Sequence, residues 1–178
     1  MWPLIRGLWN ARRGRKAAVA TIAPLVTKSR HRLDGIPERA WLDPYIVGFM
    51  IMLITLAARR AVNISDSQTL GAIQMEAWSA ITGQRVSLIG EETLHLSASE
   101  HKAFELGCQN AIAFDLALYG TSVAGVADAA TDRRDATLDL HANDPRRLVR
   151  ASDDIMALWQ HYFELHVQAS SADRQLSG

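Results

Sequence analysis

The stretch DPYIVGFMIMLITLAARR, running from Asp43 to Arg60, decides the fold class. Aspartate is a strong helix N-cap, and proline suits the first helical position, where its missing N–H has no partner anyway. From Tyr45 to Ala58 no side chain is charged, and Thr55 alone interrupts the apolar run. Arg59 and Arg60 close the segment, where cations favour the negative end of the helix dipole. A helix that is apolar all round belongs either to the centre of a core or to a bilayer. The uncharged run of 14 residues falls short of the ~20 residues that a membrane span needs. The expectation is a buried core helix over 45–58.

Downstream, helix punctuation recurs. Ser65 and Gln68 have the spacing of a capping box, Leu70, Ile73, Ala77 and Ile81 follow at helical intervals, and Gly83 supplies a left-handed stop. Ser97 and Glu100 repeat that spacing and open a helix to about Tyr119, ended by Gly120. Asp144-Pro145 starts a last helix that carries Ile155, Met156, Trp159, Phe163 and His166 on one face. Residues 84–96 read as an extended piece or a helical turn, and 121–143 as the least regular part. Strand alternation is almost absent. The prediction is an all-α, bundle-like domain of five or six helices around the 45–58 helix. The core domain spans 34–169, a basic arm precedes it over 1–33, and a frayed tail follows over 170–178.

The formal net charge of zero hides an asymmetry. No acid precedes Asp34, yet Arg6, Arg12, Arg13, Arg15, Lys16, Lys28, Arg30 and Arg32 do. The first 33 residues therefore carry +8, and the rest, with 11 basic and 19 acidic residues, carries −8. Within the arm, Trp2, Ile5 and Trp9 share a helical face with Leu4 and Leu8. That pattern fails beyond Asn10, where Arg12 and Arg15 would enter the apolar arc. Val19, Ile22, Val26 and Leu33 form a second stripe, and Pro24 within it predicts a kink or break.

Arginines follow the first apolar residues rather than precede them, unlike a secretory signal; the Arg-rich, acid-poor composition is nearer an organelle transit peptide, but serine is scarce there and nothing marks a cleavage point. The single cysteine, Cys108, rules out an internal disulfide and suits a reducing compartment such as the cytoplasm. Ordinary hydrophobic content and low net charge exclude a disordered chain.

Few residues point to chemistry. Asp115 falls in the middle of the face made by Phe104, Cys108, Ala111, Ile112, Leu118 and Tyr119. A buried carboxylate is costly unless paired, so Asp115 is either a candidate acid or base or half of an ion pair, with Arg59, Arg60 or the basic arm as its partner. His101, Glu105 and Cys108 share one helical stripe with zinc-binding side-chain types. Glu92 and His95 have the Glu-x-x-His spacing of helical di-iron sites, but such sites need the motif twice. The sequence His161-Tyr-Phe-Glu164 runs in reverse order and falls on the expected solvent face. No cofactor is predicted, since phosphate-binding glycine loops and a serine nucleophile elbow are both missing.

The basic arm offers three readings. Trp2, Arg6, Trp9, Arg12, Arg13, Arg15 and Lys16 could meet an anionic membrane surface or another anionic partner. The same arginines could contact nucleic acid, although no reader fold accompanies them. The arm could instead pack on its own acidic body. The sequence therefore reads as a non-enzymatic binding module that uses this arm. Its partners would be a protein, a second copy or a membrane periphery. The alternatives are a small enzyme built on Asp115, or a metal protein built on Glu92, His95, His101 and Glu105.

Overall fold

A computed structural model describes residues 2–64, 66–84, 93, 95–120 and 153–172, with backbone alone for 2–8 and 171–172. The fold is all-α, with no strand among the described residues. Helix α1 spans Trp2–Arg32, a 3₁₀ turn spans Glu38–Leu42, α2 spans Pro44–Ala61, α3 spans Ser67–Thr82 and α4 spans Lys102–Tyr119. The last helix, α5, covers residues 153–172 and contains a π-helical segment at Gln160–Glu164.

Helix α2 lies at the centre, packed against α1, α3 and, most extensively, α4. Its cap forms as the sequence implies, with Asp43 Oδ1 accepting from the Tyr45 and Ile46 amides at 2.9 and 3.3 Å. By length and composition alone α2 is apolar enough to cross a membrane, yet 72% of it is buried inside the fold. Thr55, the polar interruption, donates to the Ile51 carbonyl at 2.8 Å and accepts from Gln74 of α3 at 2.8 Å. Around α2 the aromatic rings of Trp41, Phe49, Phe114, Trp159 and Phe163 meet in tilted and stacked contacts, all of them buried.

Two glycines make the α2–α4 contact possible. A Cβ added at Gly48 would run into the Phe104 carbonyl, with the carbonyl carbon at 3.0 Å. A Cβ added at Gly107 would run into the Tyr45 carbonyl and stand 2.8 Å from the Phe49 nitrogen. The obstructing atoms are backbone, which cannot rotate away. The helices therefore cross backbone on backbone, and each glycine is the hole into which the other helix fits.

Several expectations need correction. Helix α1 is unbroken through Pro24. Ile22 and Val26, one turn apart around it, are both buried, so packing on the body offsets the lost helix bond. Nor does α1 stop at Asn10. Its inner face is Gly14, Ala18, Ile22, Val26 and Ser29, which lies opposite Trp9, so Arg12 and Arg15 do not enter it. Helix α3 is capped by Asp66, which accepts from the Thr69 amide at 2.6 Å; Ser65 lies outside the described residues. Ser97 lies in a short helical segment over 95–98 that ends before α4, Glu100 follows it in the left-handed region at φ 49°, and His101 takes the N-cap position. Gly83 and Gly120 end their helices with φ of 79° and 73°, as expected. Asp144-Pro145 lies outside the described residues.

Gly48→Ala and Gly107→Ala should each destabilise the fold by about 3 kcal/mol, the upper end for overpacking, because backbone rather than side chain must yield. Gly71→Ala in α3 meets open space, and should stabilise by roughly 0.5–1 kcal/mol through helix propensity. Urea unfolding midpoints check all three; a harmless Gly48→Ala would exclude the crossing as described.

Candidate functional site

Asp115 is buried, 1% exposed, but not alone. Arg60 of α2 grips it with both ends of the guanidinium: Nε donates to Oδ1 at 3.1 Å and Nη2 to Oδ2 at 2.6 Å. The same guanidinium lies over the Tyr119 ring, 4.2 Å from its centroid. Bidentate geometry and a cation–π contact make this a clamp between α2 and α4. Of the two partners foreseen on α2, Arg60 is the one used.

The metal candidates that lie among the described residues do not converge. Among the described residues no group of three or more His, Cys, Asp or Glu side chains is gathered to hold an ion. His101 and Glu105 are exposed, and His95 is exposed on the short helical segment that precedes α4. Glu92 lies outside the described residues. Cys108 is half-buried and donates to the Gly48 carbonyl at 3.5 Å. Burial, and the neighbouring Glu105, push its thiol up to about 11, so it stays protonated and unreactive at neutral pH.

Glu164, expected on the solvent side, is buried. The π-helical turn at Gln160–Glu164 explains this: its extra residue rotates Glu164 onto the inner face beside Trp159 and Phe163, and leaves His161 and Leu165 outside. There Glu164 Oε1 accepts from the Ser29 hydroxyl at 2.7 Å, and Ser29 in turn accepts from Trp159 Nε1 at 2.8 Å. Arg32 stands 3.6 Å from Oε2. This chain fixes α5 to α1. No periodicity drawn at α-helical spacing could have found it.

A further cluster sits at the start of α2. His166 stacks on the Tyr45 ring with centroids 3.5 Å apart. Tyr45 accepts from Asn110 Nδ2 at 2.9 Å, and Asp43 Oδ2 accepts from Ser170 at 3.0 Å. Burial lowers the His166 pKa, against the opposing pull of Asp43, and burial raises that of Tyr45.

The basic residues of α1 fall into two sets. One set is engaged by the body: Arg15 pairs with Glu76 at 3.3 Å, Arg32 with Glu164, and Arg30 Nη2 donates to the carbonyls of Ile81 and Thr82 at 3.2 and 2.8 Å, at the C-terminus of α3. The other set faces outward. Arg12, Arg13 and Lys16 are exposed and form no ion pair among the described residues; Lys28 is likewise exposed and without an ion pair there, but stands apart from them, about 100° around the helix from Trp9. Trp9 stands with them, 64% exposed, with the Arg13 guanidinium 5.5 Å from its ring centroid. At helical spacing these four residues make one ridge. The side chains of Trp2 and Arg6 lie outside the described residues. The chain matches no protein-family model, no curated protein and no solved structure.

Two outcomes follow. Arg60→Leu strands a buried anion and should cost about 3–5 kcal/mol, whereas Asp115→Leu should cost less because Arg60 can turn to water; chemical denaturation compares them, and the reverse order would contradict the clamp. Because the folded state disfavours charged His166, its stabilising contribution is complete above the unfolded pKa of about 6.5 and declines as pH falls through that value toward the lowered folded pKa. His166→Gln should flatten this part of the stability–pH curve, measured by thermal unfolding between pH 5 and 8.

Proposed function

We propose that this protein is a helical binding module that presents the outward ridge of α1 to an anionic partner. One observation carries the reading: among the described residues Arg12, Arg13 and Lys16 stand exposed and without ion pairs beside an exposed tryptophan, while Arg15, Arg30 and Arg32 of the same helix are engaged by the fold. Like charges gathered on one face repel one another, and a negative partner relieves that repulsion. The residues concerned do not hold the core together, since the inner face of the same helix does that work. The ridge is also firmly mounted, because Gly14 brings α1 against Ala58, Val62 and Ile73. A rigid presenting element loses little conformational freedom on binding.

The alternative chemistry read from the sequence finds less support. Asp115 is occupied by Arg60, and the described metal candidates are scattered.

Retention of the whole chain on an immobilised sulfated polyanion tests the proposal. The triple variant Arg12→Glu, Arg13→Glu, Lys16→Glu should elute at markedly lower salt. A control that reverses the exposed Lys28, Arg59 and Lys102 changes net charge equally and should elute near the parent. Equal loss in both variants would reduce the binding to bulk charge and defeat the proposal.

A further inference from the structure

We infer that the anionic partner of the α1 ridge is a lipid bilayer surface, with Trp9 seated at the headgroup level and Arg12, Arg13 and Lys16 against anionic headgroups. This rests on the reading of the ridge as an anion-binding face and names its partner.

Three features favour a lipid plane. The first is shape. The ridge belongs to the outer side of a single helix whose inner side is docked, so among the described residues it is a convex helix face rather than a cleft. A convex ridge fits a flat, deformable surface without side-chain complementarity. A folded acidic protein or a duplex would have to bring a matching groove, which places stricter demands on so small a patch. The second is the indole. A tryptophan left 64% exposed among cations is costly in water. It is at home where its apolar body meets acyl chains and its N–H meets water and headgroups. The third is the charge distribution. The first 33 residues carry +8 and the remainder −8. Beside a negative plane such a molecule orients itself, ridge inward and acidic body outward, and the repulsion of the body keeps it from lying over. The long apolar helix α2 takes no part, because its face is committed to the core. The contact is therefore peripheral, reversible and sensitive to salt.

Sedimentation of the full-length chain with vesicles decides the matter. Phosphatidylcholine vesicles serve as the neutral probe and mixed phosphatidylcholine–phosphatidylserine vesicles as the anionic one. Duplex DNA and polyglutamate are measured alongside. The chain should sediment with the anionic vesicles at low salt, leave them at high salt, and ignore the neutral ones. Removing one cation, as in Arg12→Ala or Lys16→Ala, should weaken partitioning about five-fold. Trp9→Phe should shrink the blue shift of tryptophan emission on vesicles, since Trp41, Trp78 and Trp159 are already buried. All these substitutions are at exposed positions, and unchanged thermal unfolding verifies that they leave the fold intact. Binding to DNA or polyglutamate through the same three cations, without binding to vesicles, would overturn the lipid inference and leave the anion-binding reading standing. Binding to no anionic probe would overturn both. Equal binding to neutral and anionic vesicles would overturn the role of the cations.

Discussion

Helices α2 and α4 meet backbone on backbone at Gly48 and Gly107, and the rest of the molecule is arranged around that contact. An α-helix normally keeps its neighbour 8–10 Å away because side chains lie between. Where both lack a Cβ, the axes close up, and the residues beside the crossing are drawn into register. Tyr45 reaches Asn110, Cys108 reaches the Gly48 carbonyl, and Phe49 meets Phe114. The clamp of Arg60 on Asp115 then fixes a second point between the same two helices. Two points define an orientation, and onto this pair α1, α3 and α5 are laid.

The polar groups inside the fold act as joints between elements. Thr55 with Gln74 joins α2 to α3, and Asp43 with Ser170 joins the start of α2 to α5. Ser29, Trp159 and Glu164 join α1 to α5. Each is a buried or half-buried group whose hydrogen bonds would be lost if the helices slid, so each sets register more than it adds net stability. The engaged cations of α1 belong to this system. Arg12, Arg13 and Lys16 do not, and the proposed anion-binding role of the outward ridge rests on that separation.

Much of the fold was legible in the sequence. Asp43-Pro44, the uncharged run after it, Gly83 and Gly120 mark helix ends and a core helix by local rules that tertiary packing did not override. Asp115 stood out because a carboxylate on an apolar face must find a partner. Other features were hidden for identifiable reasons. Glycine inside a helix reads as a mere propensity cost, and one chain position says nothing of the second glycine facing it. Glu164 was assigned to solvent because α-helical periodicity fails across a π-helical turn. Of the inner face of α1, Ile22 and Val26 were legible as an apolar stripe, whereas Gly14, Ala18 and Ser29 were missed because small residues carry little apolar signal and Trp2 and Trp9 suggest a different arc. The ridge itself was legible as a list of cations; which of them the fold engages depends on where Glu76, Glu164 and the end of α3 lie.

The account turns on the closeness of the α2–α4 crossing, and a nuclear Overhauser spectrum of the intact protein measures it directly. The Gly107 Cβ position lies 2.8 Å from the Phe49 nitrogen, so a Gly107 α-proton should give a strong cross-peak to the Phe49 amide, with a matching contact between Gly48 and Phe104. Absence of both cross-peaks in a folded helical sample would show side chains between the two helices and contradict the crossing.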